Sequence, residues 1–190
     1  MTDDRSEQFL RLYAPHSDSL WRFARSLVRT DHDAEDVVSE TVLQALEGIH
    51  RLKDEQAFVS FLFTIASRIV KRQRWRKRMF GDYNESVIAE REHSDPLPDV
   101  AADVVILRQA LQKLPAKMQE AIVLFEINGL SLEEVRRIQG GSLSGVKSRL
   151  ARGRQQLARI LEVDESTTMV VSSPPKKTSS TPIVHQQTVV

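Results

Sequence analysis

The apolar residues of this chain recur at helical spacing over most of its length, and no segment keeps the alternation of a β-strand. In segment 33–47 the apolar residues lie three or four positions apart: Ala34, Val37, Val38, Thr41, Val42, Ala45 and Leu46. A polar stripe covers the opposite face: Asp33, Asp36, Glu40, Gln44 and Glu47. A second helix is expected over about 55–78. The sequence therefore predicts an all-α fold.

The helical periodicity is interrupted once, over 80–103, where Gly81, Pro96 and Pro98 stand among seven acidic residues and one arginine. We expect a flexible acidic linker there, because such a segment has little apolar surface to bury. It separates two small helical domains, 5–79 and 104–161. The tail, 162–190, is rich in Ser, Thr and Pro and is expected to be disordered.

Composition excludes several classes of site. The chain has no cysteine, which excludes disulfides and thiolate metal sites and fits a reducing cytoplasm. No apolar run approaches the ~20 residues of a membrane span, and the acidic N-terminus does not resemble a secretory signal. The five histidines lack metal-ligand spacing, and there is no glycine-rich phosphate loop or catalytic triad. We therefore expect a cytoplasmic protein without membrane insertion, cofactor, metal or enzymatic activity.

Segment 131–154 has the pattern of a helix-turn-helix. Ser131 and Glu134 form a capping box that starts a short helix, and Gly140-Gly141 ends it. Ser142 starts a second helix, which contains no acidic residue before Glu162. A recognition helix in this position would direct Lys147, Ser148, Ala151 and Arg152 at base edges, with Arg149 and Arg154 suited to phosphates. The alternative is a charged surface helix on an ordinary bundle.

Segment 68–78 carries seven positive charges and no acid. One helical face collects Arg68, Lys71, Arg72, Trp75 and Arg76. An anionic partner would relieve the repulsion among these charges, and Trp75 could stack on an unpaired base. The alternatives are a Trp75 that is half-buried as a domain anchor, and a membrane-surface helix, which the sparse apolar residues disfavour. The acidic stripe is either a solvated face or a docking face for a basic partner.

Three segments together resemble bacterial sigma factors of the extracytoplasmic-function (ECF) group. They are DAEDVVSETVLQAL (33–46), FVSFLFTIASRIVKRQRWRKR (58–78) and LPAKMQEAIVLFEINGLSLEEVRRIQGGSLSGVKSRLARGRQQL (114–157). The resemblance extends over about 9–161, in order. It implies that 5–79 corresponds to sigma region 2 and 104–161 to sigma region 4.

The resemblance also implies roles for individual residues. Asp36, Ser39, Glu40 and Gln44 match positions that contact the clamp helices of the largest subunit of core RNA polymerase. Leu52 and Arg68 match the pocket for a flipped base of the downstream (−10) promoter element, and the basic helix would hold the separated strand. Lys147, Ser148, Ala151 and Arg152 match residues that read the upstream (−35) element. An anti-sigma protein is an expected partner.

Several residues depart from the family pattern. Leu52 stands where an aromatic residue is expected, and Arg68 where Asn is frequent. In the helix-turn-helix, Arg136, Gln139, Gly141 and Gly145 replace residues that usually pack or favour a helix. Each lost aliphatic side chain removes about 1–3 kcal/mol of burial. We therefore expect the second domain to be marginally stable alone.

The function indicated is that of a sigma factor, which directs core polymerase to specific promoters and helps to open them without ATP. Two alternatives stay open. An autonomous helix-turn-helix regulator would bind duplex DNA tightly without polymerase, whereas a sigma factor would bind it weakly. A sigma-like decoy would bind a regulator protein and no promoter.

Overall fold

The computed structural model describes residues 2–80 and 98–171, with side chains over 5–79 and 102–162. Four helices form the first domain: α1 (Thr2–Tyr13), α2 (Ser17–Leu27), α3 (Asp31–Gly48) and α4 (Phe58–Phe80). Four form the second: α5 (Pro98–Gln112), α6 (Ala116–Ile122), α7 (Leu132–Gln139) and α8 (Leu143–Val171). A π-helical turn, Val123–Ile127, continues α6. The described part contains no strand, and the predicted all-α fold is confirmed.

The helices extend further than the sequence predicted at two points. The predicted linker, 80–103, lies mostly outside the described residues, but its last part is helical because α5 begins at Pro98. Proline suits a first helical position, where its missing N–H costs no hydrogen bond. At the other end, α8 continues to Val171, so the expected disorder from 162 onward is wrong for residues 162–171. Residues 172–190 lie outside the described part.

Aromatic rings dominate the core of the first domain. Phe23 and Phe63 meet edge to face with ring centroids 5.2 Å apart, and both are fully buried. Phe9 stacks on Tyr13 at 5.4 Å and meets the edge of Phe58 at 6.1 Å. Each such ring stabilises the fold by about 1.5–3 kcal/mol through burial. These rings join α1 and α2 to α4.

Smaller side chains form the core of the second domain. Val135 and Ile138 of α7 and Val146 and Leu150 of α8 are buried, together with the stretch 121–124. Gly153 lets α8 approach α6 closely, since an added Cβ there would lie 3.0 Å from Ile122 Cγ1. The core thus fixes the angle between the two helices of the turn motif.

The two domains also pack against each other. α7 lies against α4, and α5 and the turn Val123–Ile127 lie against α2. The buried apolar residues of both domains form one cluster, and hydrogen bonds described below add to it. Within the described residues, no helix has the length and apolar character needed to cross a membrane.

Candidate functional site

The helix-turn-helix forms as its sequence predicts. The Ser131 N–H donates to Glu134 Oε2 over 2.8 Å, and the Glu134 N–H donates to Ser131 Oγ over 3.3 Å, which completes the capping box at the start of α7. Gly140 and Gly141 have φ of 76° and 90°, a backbone region that disfavours other residues. The Gly145 N–H donates to Ser142 Oγ over 3.1 Å, so Ser142 caps α8.

The residues predicted to contact upstream DNA fall into two groups. Lys147, Ala151 and Arg152 are exposed on α8, and Ser148 is half-exposed beside them. The two predicted phosphate ligands, in contrast, have partners inside the domain. Arg149 donates to the carbonyl of Gly140 over 3.2 Å. Arg154 donates to Glu126 Oε1 over 2.7 Å, and its guanidinium lies 5.7 Å from the Phe125 ring centroid.

The unusual residues of the motif have structural partners. Arg136 lies at the surface and donates to Glu133 over 2.8 Å, so it leaves no gap in the core. Gln139 donates to the Lys117 carbonyl over 3.0 Å and to Glu120 Oε2 over 2.9 Å. Gly145 leaves room for the Ser142 cap, because its Cβ would lie 3.3 Å from Ser142 Oγ. Arg136 and Gln139 thus gain polar contacts, although Gln139 Oε1 is buried without a hydrogen-bond partner. The loss of apolar packing expected at these positions stays a prediction. Whether the second domain is marginal alone stays a prediction.

The polar face of α3 is open at Asp36 and Ser39, whereas Asp33 and Glu40 form ion pairs with α4. Asp36 and Ser39 are exposed, while Glu40 and Gln44 are half-exposed and joined by a 2.8 Å hydrogen bond. Leu43 lies among them with 56% of its surface exposed. Sequence reasoning missed Leu43, although an apolar residue at that position of a polar stripe is a signal that could have found it. The face thus combines acidic groups with an apolar contact.

The basic face of α4 is less free than its sequence suggests. Arg72 forms an ion pair with Glu40 of α3, and Lys77 Nζ lies 2.9 Å from Asp33 Oδ2. Lys71 Nζ lies 3.4 Å from Glu120 Oε1 of the second domain. Three of the seven charges therefore have acidic partners, which corrects the expectation of unneutralised repulsion. Arg68 and Arg76 remain exposed. Trp75 is 52% exposed, so it is accessible to a base.

Arg74 is the one charge of this segment that points into the protein interior. Its Nη2 donates to the Leu27 carbonyl over 2.6 Å and to Gln119 Oε1 over 2.7 Å. Burial lowers the pKa of the Arg74 guanidinium; Glu120 opposes that shift and Arg78 adds to it. Arg74 still stays charged, since the ordinary pKa of an arginine lies far above neutral pH. The sequence pattern did not single out Arg74, Ser67, Gln119 or Glu120.

The loop between α3 and α4 holds Leu52 half-buried. The Leu52 N–H donates to the Ile49 carbonyl over 2.9 Å, and Asp54 Oδ1 accepts from the Gln56 N–H over 2.9 Å. Arg11 of α1 lies 2.5 Å from Glu55 Oε1 and ties this loop to the domain. Hydrogen bonds from Arg11 and Gln8 lower the pKa of Glu55. The loop is thus held by several short contacts.

Comparison with known families decides between the interpretations left open by the residues. The sequence matches Sigma-70 region 2 over residues 12–80 and Sigma-70 region 4 over residues 105–157. The chain belongs to the ECF group of the sigma-70 family. Sigma factors act in transcription initiation, and membership favours that function over an autonomous regulator or a decoy.

Individual relatives agree with this assignment. The chain is 35% identical to the ECF sigma factor SigE of Mycolicibacterium smegmatis over 170 residues, covering 83% of this chain and 63% of SigE, less than two thirds of that relative's length. It is 32% identical to EcfG of Rhodopseudomonas palustris over 146 residues, covering 77% of this chain and 81% of EcfG.

Two solved structures share the fold. CnrH, solved with the cytosolic domain of CnrY, has a TM-score of 0.65 at 25% identity, covering 84% of this chain and 90% of CnrH. RpoE of Bartonella quintana, solved with the anti-sigma factor NepR, has a TM-score of 0.61 at 31% identity, covering 86% of this chain and 99% of RpoE. The predicted family and fold are confirmed.

Proposed function

We propose that this chain directs core RNA polymerase to specific promoters through three surfaces. The polar face of α3 carries the proposal, because its exposed residues Asp36 and Ser39 offer a surface on which a polymerase subunit could dock. Asp36, Ser39, Glu40 and Gln44 would meet basic groups of the clamp helices. Leu43 would add apolar burial at the centre of that contact.

The second surface is the exposed face of α4 with the adjoining loop. Trp75 would stack on a base of the separated strand, with Arg68, Lys71, Arg72 and Arg76 near its phosphates. Leu52 and Arg68 would line the pocket for a flipped base. Binding of the exposed base and strand would drive opening without ATP hydrolysis, in the cytoplasm.

The third surface is the outward face of α8. Lys147, Ser148, Ala151 and Arg152 would read the upstream element in the major groove. Ser142 would donate its hydroxyl to a phosphate while its oxygen still accepts from the Gly145 N–H. Arg149 and Arg154 would add phosphate contacts only after a change of partner, because each donates to an oxygen within the domain. We further propose an anti-sigma partner, because the related RpoE was solved with an anti-sigma factor bound.

Run-off transcription tests this proposal. Purified core polymerase is combined with genomic templates, with and without the protein, and promoter-specific transcripts are expected only with it. Glu40→Lys should abolish transcription and co-purification with polymerase. Glu35→Lys is the matched control, since Glu35 is exposed on α3 but lies outside the polar stripe. Absence of specific transcripts with the wild-type protein would overturn the proposal.

A further inference from the structure

A cavity of about 390 Å³ lies between the two domains. Its walls come from the chain around the end of α2 (27–33), from α4 (73–78) and from the α5–α6 region of the second domain (112–119). Binding sites for small molecules are typically concave, measure about 300–1,000 Å³ and often lie between domains. This cavity therefore has the size and the position of a ligand site.

Cationic side chains dominate the lining of the cavity. Arg29, Arg74, Lys77 and Arg78 line it, and Asp33 is the one acidic residue among the described residues of the lining. Lys77 Nζ lies 2.9 Å from Asp33 Oδ2, so these two charges are paired. The charges of the three arginines remain in excess, which favours an anionic ligand.

The three arginines lack a full set of acceptors. Burial lowers the pKa of the Arg74 guanidinium, Glu120 opposes that shift and Arg78 adds to it, so Arg74 and Arg78 repel each other. Arg29 is exposed, and within the described part of the chain its side chain has neither a hydrogen bond nor an ion pair. An anion held by these groups would relieve the repulsion and accept charge-assisted hydrogen bonds.

Apolar and amide groups line the cavity beside the cations. Leu27, Val28 and Leu114 contribute aliphatic side chains. Gln73 contributes an amide that has no hydrogen-bond partner among the described residues. Gln112 donates to the Val28 carbonyl over 3.0 Å, which leaves its Oε1 as an acceptor. A ligand with both phosphates and a flat heterocycle fits such a lining, because guanidinium groups match phosphate oxygens and amides match the edge of a base.

We propose that this cavity binds a small nucleotide that carries at least two phosphates. Arg29, Arg74 and Arg78 would bind the phosphates, and Gln73 and Gln112 would contact the base against the aliphatic wall. More than one phosphate is expected because three guanidinium charges are in excess. The site is a small-molecule site and goes beyond promoter recognition, so its tests need neither polymerase nor DNA.

Titration calorimetry with the whole chain tests the ligand class. ADP and GDP are the probes, and adenosine and inorganic pyrophosphate represent the two parts of such a ligand. ADP or GDP should bind at least about tenfold more tightly than either part, because linked groups reinforce each other's binding. Pyrophosphate that bound as tightly as both nucleotides would overturn the nucleotide assignment, and no binding of either nucleotide would overturn the site.

Two charge variants test the arginines. Arg29→Gln and Arg78→Gln should each weaken binding of the nucleotide by about tenfold or more, because each removes a charge-assisted hydrogen bond to a phosphate. Arg22→Gln is the matched control, since Arg22 is exposed on α2, lies outside the lining and donates to Ser19 Oγ over 2.9 Å. The same affinity in all three variants would contradict the assignment of the arginines.

An uncharged variant distinguishes the cavity from the basic surfaces of α4 and α8, which attract any anion. Ala116→Phe fills space in the cavity without changing the charge, since Ala116 is exposed and lines it. It should abolish nucleotide binding, whereas Ala158→Phe, at an exposed site of α8 outside the lining, should leave the affinity unchanged.

Circular dichroism establishes that each variant is folded. If Ala116→Phe is not, Ala116→Leu provides the same comparison with a smaller side chain. A folded Ala116 variant with the wild-type affinity for ADP and GDP would overturn the proposal, because the nucleotide would then bind elsewhere on the surface.

Discussion

The two domains are both helical, yet they bury different kinds of side chain. The first domain closes around interlocked phenylalanine rings, and its buried residues mostly serve its own core. The second domain relies on small aliphatic residues and sends Gln119 and Glu120 to the first domain for partners. The difference indicates that the second domain supplies most of the buried polar side chains that reach the first, in addition to the apolar cluster that the two domains share.

The largest expected effect tests the self-sufficiency of the first domain. Phe63→Ala should lower its free energy of unfolding by about 3–5 kcal/mol, because it removes a buried ring and leaves a cavity. Urea unfolding followed by tryptophan fluorescence measures this, since both tryptophans, Trp21 and Trp75, lie in the first domain. Leu43→Ala, at an exposed site, should change little. Equal losses of unfolding free energy in the two variants would contradict the stabilising role of the buried rings in the first domain.

A smaller effect is expected from the close helix approach in the second domain. Gly153→Ala should destabilise that domain by about 1–3 kcal/mol, because the new methyl group meets Ile122 and overpacks the core. Thermal unfolding by circular dichroism measures the change. Arg159→Ala is the control, since Arg159 is exposed on the same helix and the substitution adds no atom to the core. If both substitutions behaved alike, the tight contact between α6 and α8 would be doubtful.

The DNA-reading surface of α8 gives an effect of similar size. Arg152→Ala should reduce discrimination at the upstream element by about 1–3 kcal/mol, because it removes a donor to base edges. Competition between promoter variants in run-off transcription measures this. Arg154→Ala should leave discrimination nearly unchanged, since Arg154 pairs with Glu126. The opposite ranking of these two variants would contradict the orientation of α8.

The smallest effect concerns a surface contact of the first domain. The folded-state pKa of Glu55 is lowered from 4.5, chiefly by the hydrogen bond from Arg11. A carboxyl group whose pKa is lower in the folded state stabilises the fold at pH values above its unfolded-state pKa. That stabilisation is lost as the pH falls through the folded-state pKa. Arg11→Ala should therefore lower the melting temperature slightly at neutral pH and leave it unchanged in acid. Melting temperatures against pH measure this, and a pH-independent difference would exclude the ion pair.

Much of the helical order could be predicted from residues that lie close together in the chain. Ser131 with Glu134, Gly140 with Gly141, and the Ser142 cap predicted the turn motif, because caps and positive φ are local properties. The extent of α8 could not be predicted this way. Its extension to Val171 runs through a Ser/Thr-containing segment whose composition favours disorder.

The sequence predicted which residues of the candidate site are exposed. It did not predict most of the contacts that these residues make within the protein. The stripe on α3 and the basic face of α4 are visible in the sequence, but their pairing through Glu40 and Arg72 joins residues 32 positions apart. Likewise, no spacing rule distinguishes Arg149 and Arg154, which have partners within the domain, from the exposed Arg152. Intramolecular partners decide which charges remain available to DNA.

The sequence by itself determined the helices, the turn motif and the family, because periodicity, capping and motif order depend on residues that are close together in the chain. The tertiary structure decided which of these surfaces stay open. Ser67 meets Glu120 across 53 positions, and Gln119 meets Ser26 across 93. Such contacts depend on how whole helices pack, and burial then determines whether a polar residue faces water, its own domain or the neighbouring one.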